Sequence, residues 1–350
     1  MSDYTHNEIY SQPEIWNIII EKADQYLAVY ETIKAECSQN DLLFIGCGTS
    51  YYLALSAASV FSFLTGVKAN AIPASDMLFF PEQQLCCSGK DTLCIFISRS
   101  GTTTEVLRAA DHVKSHFKAS SCAITCRPEG KLAKQCANSF VIPEADEKSV
   151  VMTRSFTSML LLIQIMAAHR AGNQIFMNEL KKLPERGGDL MALYKKTART
   201  VFSKKQYSKY VYMGQGPFYG LACEAMLKVK EMSLSASEAY HSLEFRHGPM
   251  SMVDHDMLLI FFISEKAFKD EVRLLKEMKS LDANTLVICE RADDEVRSAA
   301  DFLIELQSGI SDYARLILYI PIVQFLGYEL ARLKNLDPDN PKNLSQVVEF

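Results

Sequence analysis

Residues 44–54, FIGCGTSYYLA, return in altered form at residues 212–222, YMGQGPFYGLA. Gly46 and Gly48 stand where Gly214 and Gly216 stand, and Tyr51, Leu53 and Ala54 match Tyr219, Leu221 and Ala222. In both copies a short apolar run ends at a G-x-G turn and a small-residue helical pattern follows, which is how a buried strand passes into a helix. Further along, Asp256 to Ser264 (DMLLIFFIS) echoes Asp91 to Ser98 (DTLCIFIS). The chain therefore reads as two copies of one α/β unit.

Short apolar strands separated by helical patterns fill in each copy. In the first they are Leu42–Ile45, Ala69–Pro73, Thr92–Ser98, Ser121–Thr125 and Ser139–Pro143; in the second, strands start at Tyr210, Asp256, Thr285 and Phe302. Such alternation predicts a parallel sheet covered on both faces. A helix is expected over Glu14–Glu36, with Ser11 and Glu14 as its capping box. Long helices are expected over Val150–Gln174 and Asn178–Lys205. The expected organisation is a helical segment at 1–40, a first domain at 41–195, a second at 196–335 and a tail at 336–350.

At 350 residues, 48% of them apolar, and a net charge of −5, the chain suits two ordinary domains and carries no block of Lys or Arg. That balance speaks against a nucleic-acid or anionic-membrane surface. Of ten cysteines, Cys47, Cys94, Cys122, Cys126 and Cys223 lie in apolar segments, and there is no C-x-x-C pair or zinc-spaced His, so neither disulfides nor a metal is expected. The first residues lack the basic start and apolar core of a signal peptide. The apolar stretch Leu316–Tyr328 is too short to span a bilayer, so a cytoplasmic protein is expected.

The strand at Cys94–Ile97 runs into Ser98, Arg99, Ser100, Gly101, Thr102, Thr103 and Thr104 before a helix resumes at Glu105. Hydroxyls and glycine suit any strand-to-helix turn. They also suit an anion, held by hydroxyls and the free N–H groups of the helix start. In the second copy Ser264 is followed by Glu265, Lys266, Ala267 and Phe268, so one anion site per chain is expected. Loops at the carboxyl ends of parallel strands share a ligand crevice, which brings Gly48, Thr49 and Ser50 beside Ser98, Ser100, Thr102 and Thr103 around one phosphate. A nicotinamide cofactor is not expected: Tyr51 replaces the third glycine of the dinucleotide fingerprint, and no acidic residue follows about twenty positions on.

Glu224, Lys228 and Glu231 fall at i, i+4 and i+7 of a helical pattern, one stripe. A solvated i,i+4 pair would look the same. The adjoining SEAYHSLEFRHGP (residues 237–249) shows neither strand nor helix period and crowds Glu238, His241, Glu244, Arg246 and His247 together. An imidazole beside a carboxylate-bearing helix is a candidate acid–base pair. A phosphate cradle, a carboxylate and an imidazole without cofactor suit proton transfer between C1 and C2 of a sugar phosphate.

GCGTS, SRSGTTTE, MLKVKEMS, SEAYHSLEFRHGP and the tail DPDNPKNL together resemble the double sugar isomerase (SIS) family, over nearly the whole chain. The resemblance implies two tandem doubly wound, flavodoxin-like domains in three α/β/α layers. It implies phosphate contacts from Ser50, Ser98, Ser100 and Thr103, with Thr49 nearby, and Glu231 as the base that shuttles the C1/C2 proton. His247 becomes the ring-opening histidine, reaching across from a second subunit, so a homodimer or larger assembly is implied. Glu224 and Lys228 become supporting polar residues, and Glu147 and Val150 sugar contacts. Gln346 stands where relatives carry an imine-forming lysine, and an amide cannot form that bond. Together with a start at Met1-Ser2 that lacks the amidotransferase cysteine, this tilts the expectation toward isomerisation with deamination of an amino-sugar or ketosamine 6-phosphate, without glutaminase activity. A non-catalytic phosphosugar-binding regulator, or a subunit of a separate amidotransferase, would share the cradle.

Overall fold

The computed structural model describes residues 3–37, 41–85 and 91–346. Three helices open the chain, α1 (Tyr4–Tyr10), α2 (Gln12–Glu21) and α3 (Ala23–Glu36). The expected capping box is absent. Ser11 has helical backbone angles between α1 and α2, and its hydroxyl donates back to the Glu8 carbonyl at 3.2 Å rather than capping α2. Helix follows helix almost without a break, so the preceding turn takes the hydroxyl.

The first sheet comprises β1 (Asp41–Gly46), β2 (Lys68–Pro73), β3 (Thr92–Ile97), β4 (Ser120–Thr125) and β5 (Asn138–Val141), with α4 (Thr49–Thr65), α5 (Ala74–Phe79), α6 (Thr104–His116) and α7 (Lys131–Gln135) between them. Its strands are all parallel in the order β2-β1-β3-β4-β5. Helices α8 (Arg154–Arg170), α9 (Gln174–Leu180) and α10 (Leu183–Lys204) lead to the second sheet. There β6 (Lys209–Gly214), α11 (Phe218–Ser233), β7 (Ser237–Tyr240), β8 (Met257–Phe262), α12 (Phe268–Ser280), β9 (Asn284–Cys289), α13 (Asp294–Ala299) and β10 (Phe302–Glu305) repeat the first order as β7-β6-β8-β9-β10, and α14 (Ile320–Leu333) closes the core. Two five-stranded parallel sheets of the same winding are the duplicated α/β fold that the sequence repeat predicts.

The repeated first glycine has one cause in both copies. A Cβ on Gly46 would lie 2.6 Å from the Ser50 carbonyl carbon, and one on Gly214 would lie 2.5 Å from the Phe218 carbonyl oxygen. Each helix start folds back onto the end of its strand, and only glycine leaves the room.

Three expectations are corrected. Residues 237–240 form β7, paired with β6 from Tyr210↔Ser237 to Met213↔Tyr240. A four-residue edge strand that is mostly half-buried need not alternate, which hides it from pattern reading. The expected helix at Val150 begins only at Arg154, and the one at Asn178 is split at residues 181–182. Finally, the backbone places Ile263, not Ser264, opposite Ser98: Ser98 N–H donates to Ile124 O and Ile263 N–H to Ile288 O, both at 3.0 Å. The second copy carries its loop hydroxyl one residue later, where Ser264 Oγ accepts the Ala267 N–H at 3.1 Å as Ser98 Oγ accepts the Gly101 N–H.

Helices α4 and α11 cross closely, because Gly220 leaves room for Ser56, whose hydroxyl donates to the Pro217 carbonyl at 2.7 Å. The stretch Leu316–Leu333 is long and apolar enough to cross a membrane, contrary to the shorter span expected, but 83% of it is buried inside the protein. It is a core helix, packed on α10 and α11. The eight cysteines among the described residues are free thiols.

Candidate functional site

In a sheet of order 2-1-3-4-5 the connections leave in opposite directions from β1 and β3, and the crevice between them is where a ligand sits. A cavity of about 190 Å³ lies there, lined by Cys47, Gly48, Thr49, Ser50, Ser98, Arg99, Ser100, Thr103, Val150, Met152, Glu231, Ser345 and Gln346. The loops after β1 and β3 make its floor, α11 one wall, and the chain before α8 with the C-terminal tail its roof.

The floor is a ring of hydroxyls. Ser98 Oγ lies 3.0 Å from Thr103 Oγ1 and accepts the Gly101 N–H at 3.1 Å. Ser100 Oγ accepts from Thr102 N–H at 3.2 Å and from Thr102 Oγ1 at 3.1 Å. Thr102 thus braces the loop from outside the cavity and does not line it. The Thr103 side chain at the N-cap does not cap α6, so the positive end of that helix faces the cradle.

The wall carries the charges. Lys228, wholly buried, places Nζ 2.5 Å from Glu231 Oε2, 3.1 Å from Thr49 Oγ1 and 3.3 Å from Glu224 Oε1. An ammonium has three N–H groups, and three protein oxygens surround this one. Lys228 and Glu224 stand behind the cavity surface; Glu231, 19% exposed, faces into it. The solvated-pair alternative fails, since both members of the i,i+4 pair are at 0% exposure.

Burial drives the Glu224 carboxyl up to about 8, against the pull of Lys228 and with a further push from Glu231. Burial pulls the Lys228 ammonium down, but the two carboxylates outweigh it and hold it above the ordinary lysine range. At neutral pH Glu224 therefore carries its proton while Lys228 keeps its charge. Neither Glu224 oxygen accepts a well-formed hydrogen bond; its contact with Lys228 is a charge contact.

Val150 and Gln346 line the cavity as expected from the sequence. Glu147 does not. Its oxygens are taken by Thr153 N–H at 2.5 Å, Thr153 Oγ1 at 2.6 Å, Ser155 Oγ at 2.5 Å and Arg99 Nη1 at 3.3 Å, which makes it the anchor of the roof rather than a sugar contact. His247 is exposed on the loop after β7 and is not among the lining residues in a single chain. Sequence reasoning passed over Arg99, Met152, Ser345 and Cys47. Arg99 alone carried a signal, a cation inside the hydroxyl loop. Burial raises the Cys47 thiol to about 11, so it stays protonated.

In the second copy a carboxylate from α12 meets the donors at the end of β8. Glu271 accepts Ser264 N–H and Oγ, each at 2.8 Å, and Ser242 Oγ at 2.8 Å. A carboxylate takes the donors there, so the second copy does not repeat the open hydroxyl ring.

The profile of the SIS domain family matches residues 37–169 and 204–323. The chain is 27% identical over 345 residues to a glutamine–fructose-6-phosphate aminotransferase of Methanothermobacter thermautotrophicus, covering 97% of this chain and 56% of that protein. A Helicobacter pylori protein of the same name is 28% identical over 362 residues, covering 99% and 58%. The chain thus spans little more than half the length of these relatives. Among solved structures, glucosamine-6-phosphate deaminase from Thermotoga maritima superposes with a TM-score of 0.83 at 30% identity, covering 98% of this chain and 99% of that one.

Proposed function

The chain belongs to the SIS domain family, and from that premise we propose that it is a phosphosugar isomerase/deaminase acting on an amino-sugar 6-phosphate. The observation that carries the reading is one small cavity that joins a ring of hydroxyls to a carboxylate. The likeness in length and sequence to glucosamine-6-phosphate deaminase supports the choice of an amino sugar.

In this reading Ser50, Ser98, Ser100 and Thr103 hold the phosphate, helped by the start of α6. Glu231 takes the C2 proton of the open-chain 2-aminoaldose and returns it to C1, giving a 2-iminoketose. Water then adds at C2 and ammonia leaves. Lys228 donates to Glu231 and to Thr49 and so aims the Glu231 carboxyl group; it is a positioning residue. Glu224 keeps its proton, which saves the pocket a second negative charge beside an anionic substrate. His247 opens the sugar ring from a second subunit, which places the chain in a homodimer or larger assembly. Gln346 offers no amine, and a substrate that brings its own nitrogen needs none. Glutaminase activity is no part of this reading, and the setting is the cytoplasm.

The test is ammonia release from glucosamine 6-phosphate by the purified protein. Stoichiometric ammonia and fructose 6-phosphate support the proposal. Tight binding without turnover would favour a phosphosugar-binding regulator.

A further inference from the structure

Arg99 sits within the hydroxyl ring and is 5% exposed, yet its guanidinium is turned away from a phosphate role. Nη2 donates to Val150 O at 3.0 Å and to Gln346 O at 3.4 Å. Nη1 donates to Ser149 O and Val151 O, each at 3.4 Å, and to Glu147 Oε2 at 3.3 Å. One planar fork thus gathers three consecutive carbonyls of the roof, a carbonyl of the tail and a buried carboxylate.

The same short segment is held from two other directions. Glu8, from α1, accepts Lys148 N–H at 2.6 Å and Ser149 N–H at 3.4 Å, and takes the Ser149 hydroxyl as well. The Gln346 amide donates to Lys148 O at 2.9 Å, to Ser149 O at 3.3 Å and to Glu147 O at 3.4 Å, while its oxygen accepts from Arg127 at 3.2 Å. The Val150 N–H donates to the Asp339 carbonyl at 3.1 Å. Residues 147–151 have no helix or strand to hold them, so these contacts fix their shape.

We propose that Arg99 is a positioning residue that latches the roof (147–151) and the tail (345–346) onto the phosphate cradle, so that the sugar-facing surface is set by the cradle rather than by the tail alone. Its five acceptors lie on two separate parts of the chain, the roof and the tail, and no shorter or rounder cation reaches them all. The cradle itself then meets phosphate with hydroxyls and backbone N–H groups. The inference rests on the proposed function only in taking the ligand to be a sugar phosphate.

The test compares Arg99→Lys and Arg99→Gln with the native protein by calorimetry and by amide exchange of the ligand-free protein. The probes are inorganic phosphate and glucosamine 6-phosphate. Expected are phosphate affinity within threefold of native, sugar-phosphate affinity weaker by tenfold or more in both variants, and exchange at residues 148–151 faster by tenfold or more. A tenfold loss of inorganic phosphate binding with unchanged exchange would make Arg99 a phosphate ligand and overturn the proposal; so would native values throughout. If Arg99→Gln fails to fold because Glu147 is left unpaired, Arg99→Gln/Glu147→Gln removes that charge and is read the same way. Neither readout needs turnover, so an inactive native protein would sink the proposed function and leave this test standing.

Discussion

Replacing Glu224 by glutamine should make the protein more stable, and increasingly so as the pH rises. The carboxyl titrates near 4.5 in an open chain and near 8 when buried beside Lys228 and Glu231. Because the folded form binds the proton more tightly, stability is fully present below pH ~4.5, falls across the window and is lost above pH ~8. At about 1.4 kcal/mol for each pH unit, the penalty reaches roughly 3 kcal/mol at pH 7 and roughly 5 kcal/mol by pH 9. Glutamine has the shape of the protonated acid and no such slope. Urea unfolding at pH 5, 7 and 9 should show the two proteins close together at pH 5 and separated by several kcal/mol at pH 9, with Glu224→Gln the more stable. Parallel curves, or a variant weaker than native at pH 9, would refute the assignment of the proton to Glu224.

Three other outcomes follow from the same geometry. Lys228→Met leaves Glu231 without its buried partner, so it should lose about 3–5 kcal/mol of stability in urea unfolding. Ser98→Ala and Ser100→Ala should each weaken substrate binding by about tenfold to a hundredfold, the worth of one hydrogen bond to a charged group, with little change in kcat at saturation. Borohydride added during turnover should leave the native protein unlabelled by mass spectrometry, since no lysine lines the described cavity; a reduced sugar adduct would return the imine role to a lysine.

Much of this was legible in the sequence because the signals are local. The G-x-G turns, the hydroxyl loop after β3 and the i, i+4, i+7 stripe of α11 each depend on residues within two helical turns. What escaped depends on contacts that no helix or strand period marks. Glu147 reads as a sugar contact until Thr153, Ser155 and Arg99 are seen to take its oxygens. Gln346 reads as a vacant lysine position until its amide is found strapping the roof. The edge strand β7 was missed because pairing with β6, not its own pattern, makes it a strand.

The central claim is that Glu231 moves a proton between C1 and C2. Proton NMR of glucosamine 6-phosphate in deuterated water, with native protein and with Glu231→Gln, tests it most directly. The account predicts that the native protein exchanges or transfers the C2 proton, while Glu231→Gln slows this by a factor on the order of a thousand and still binds the sugar phosphate. Exchange at the native rate in Glu231→Gln would contradict it.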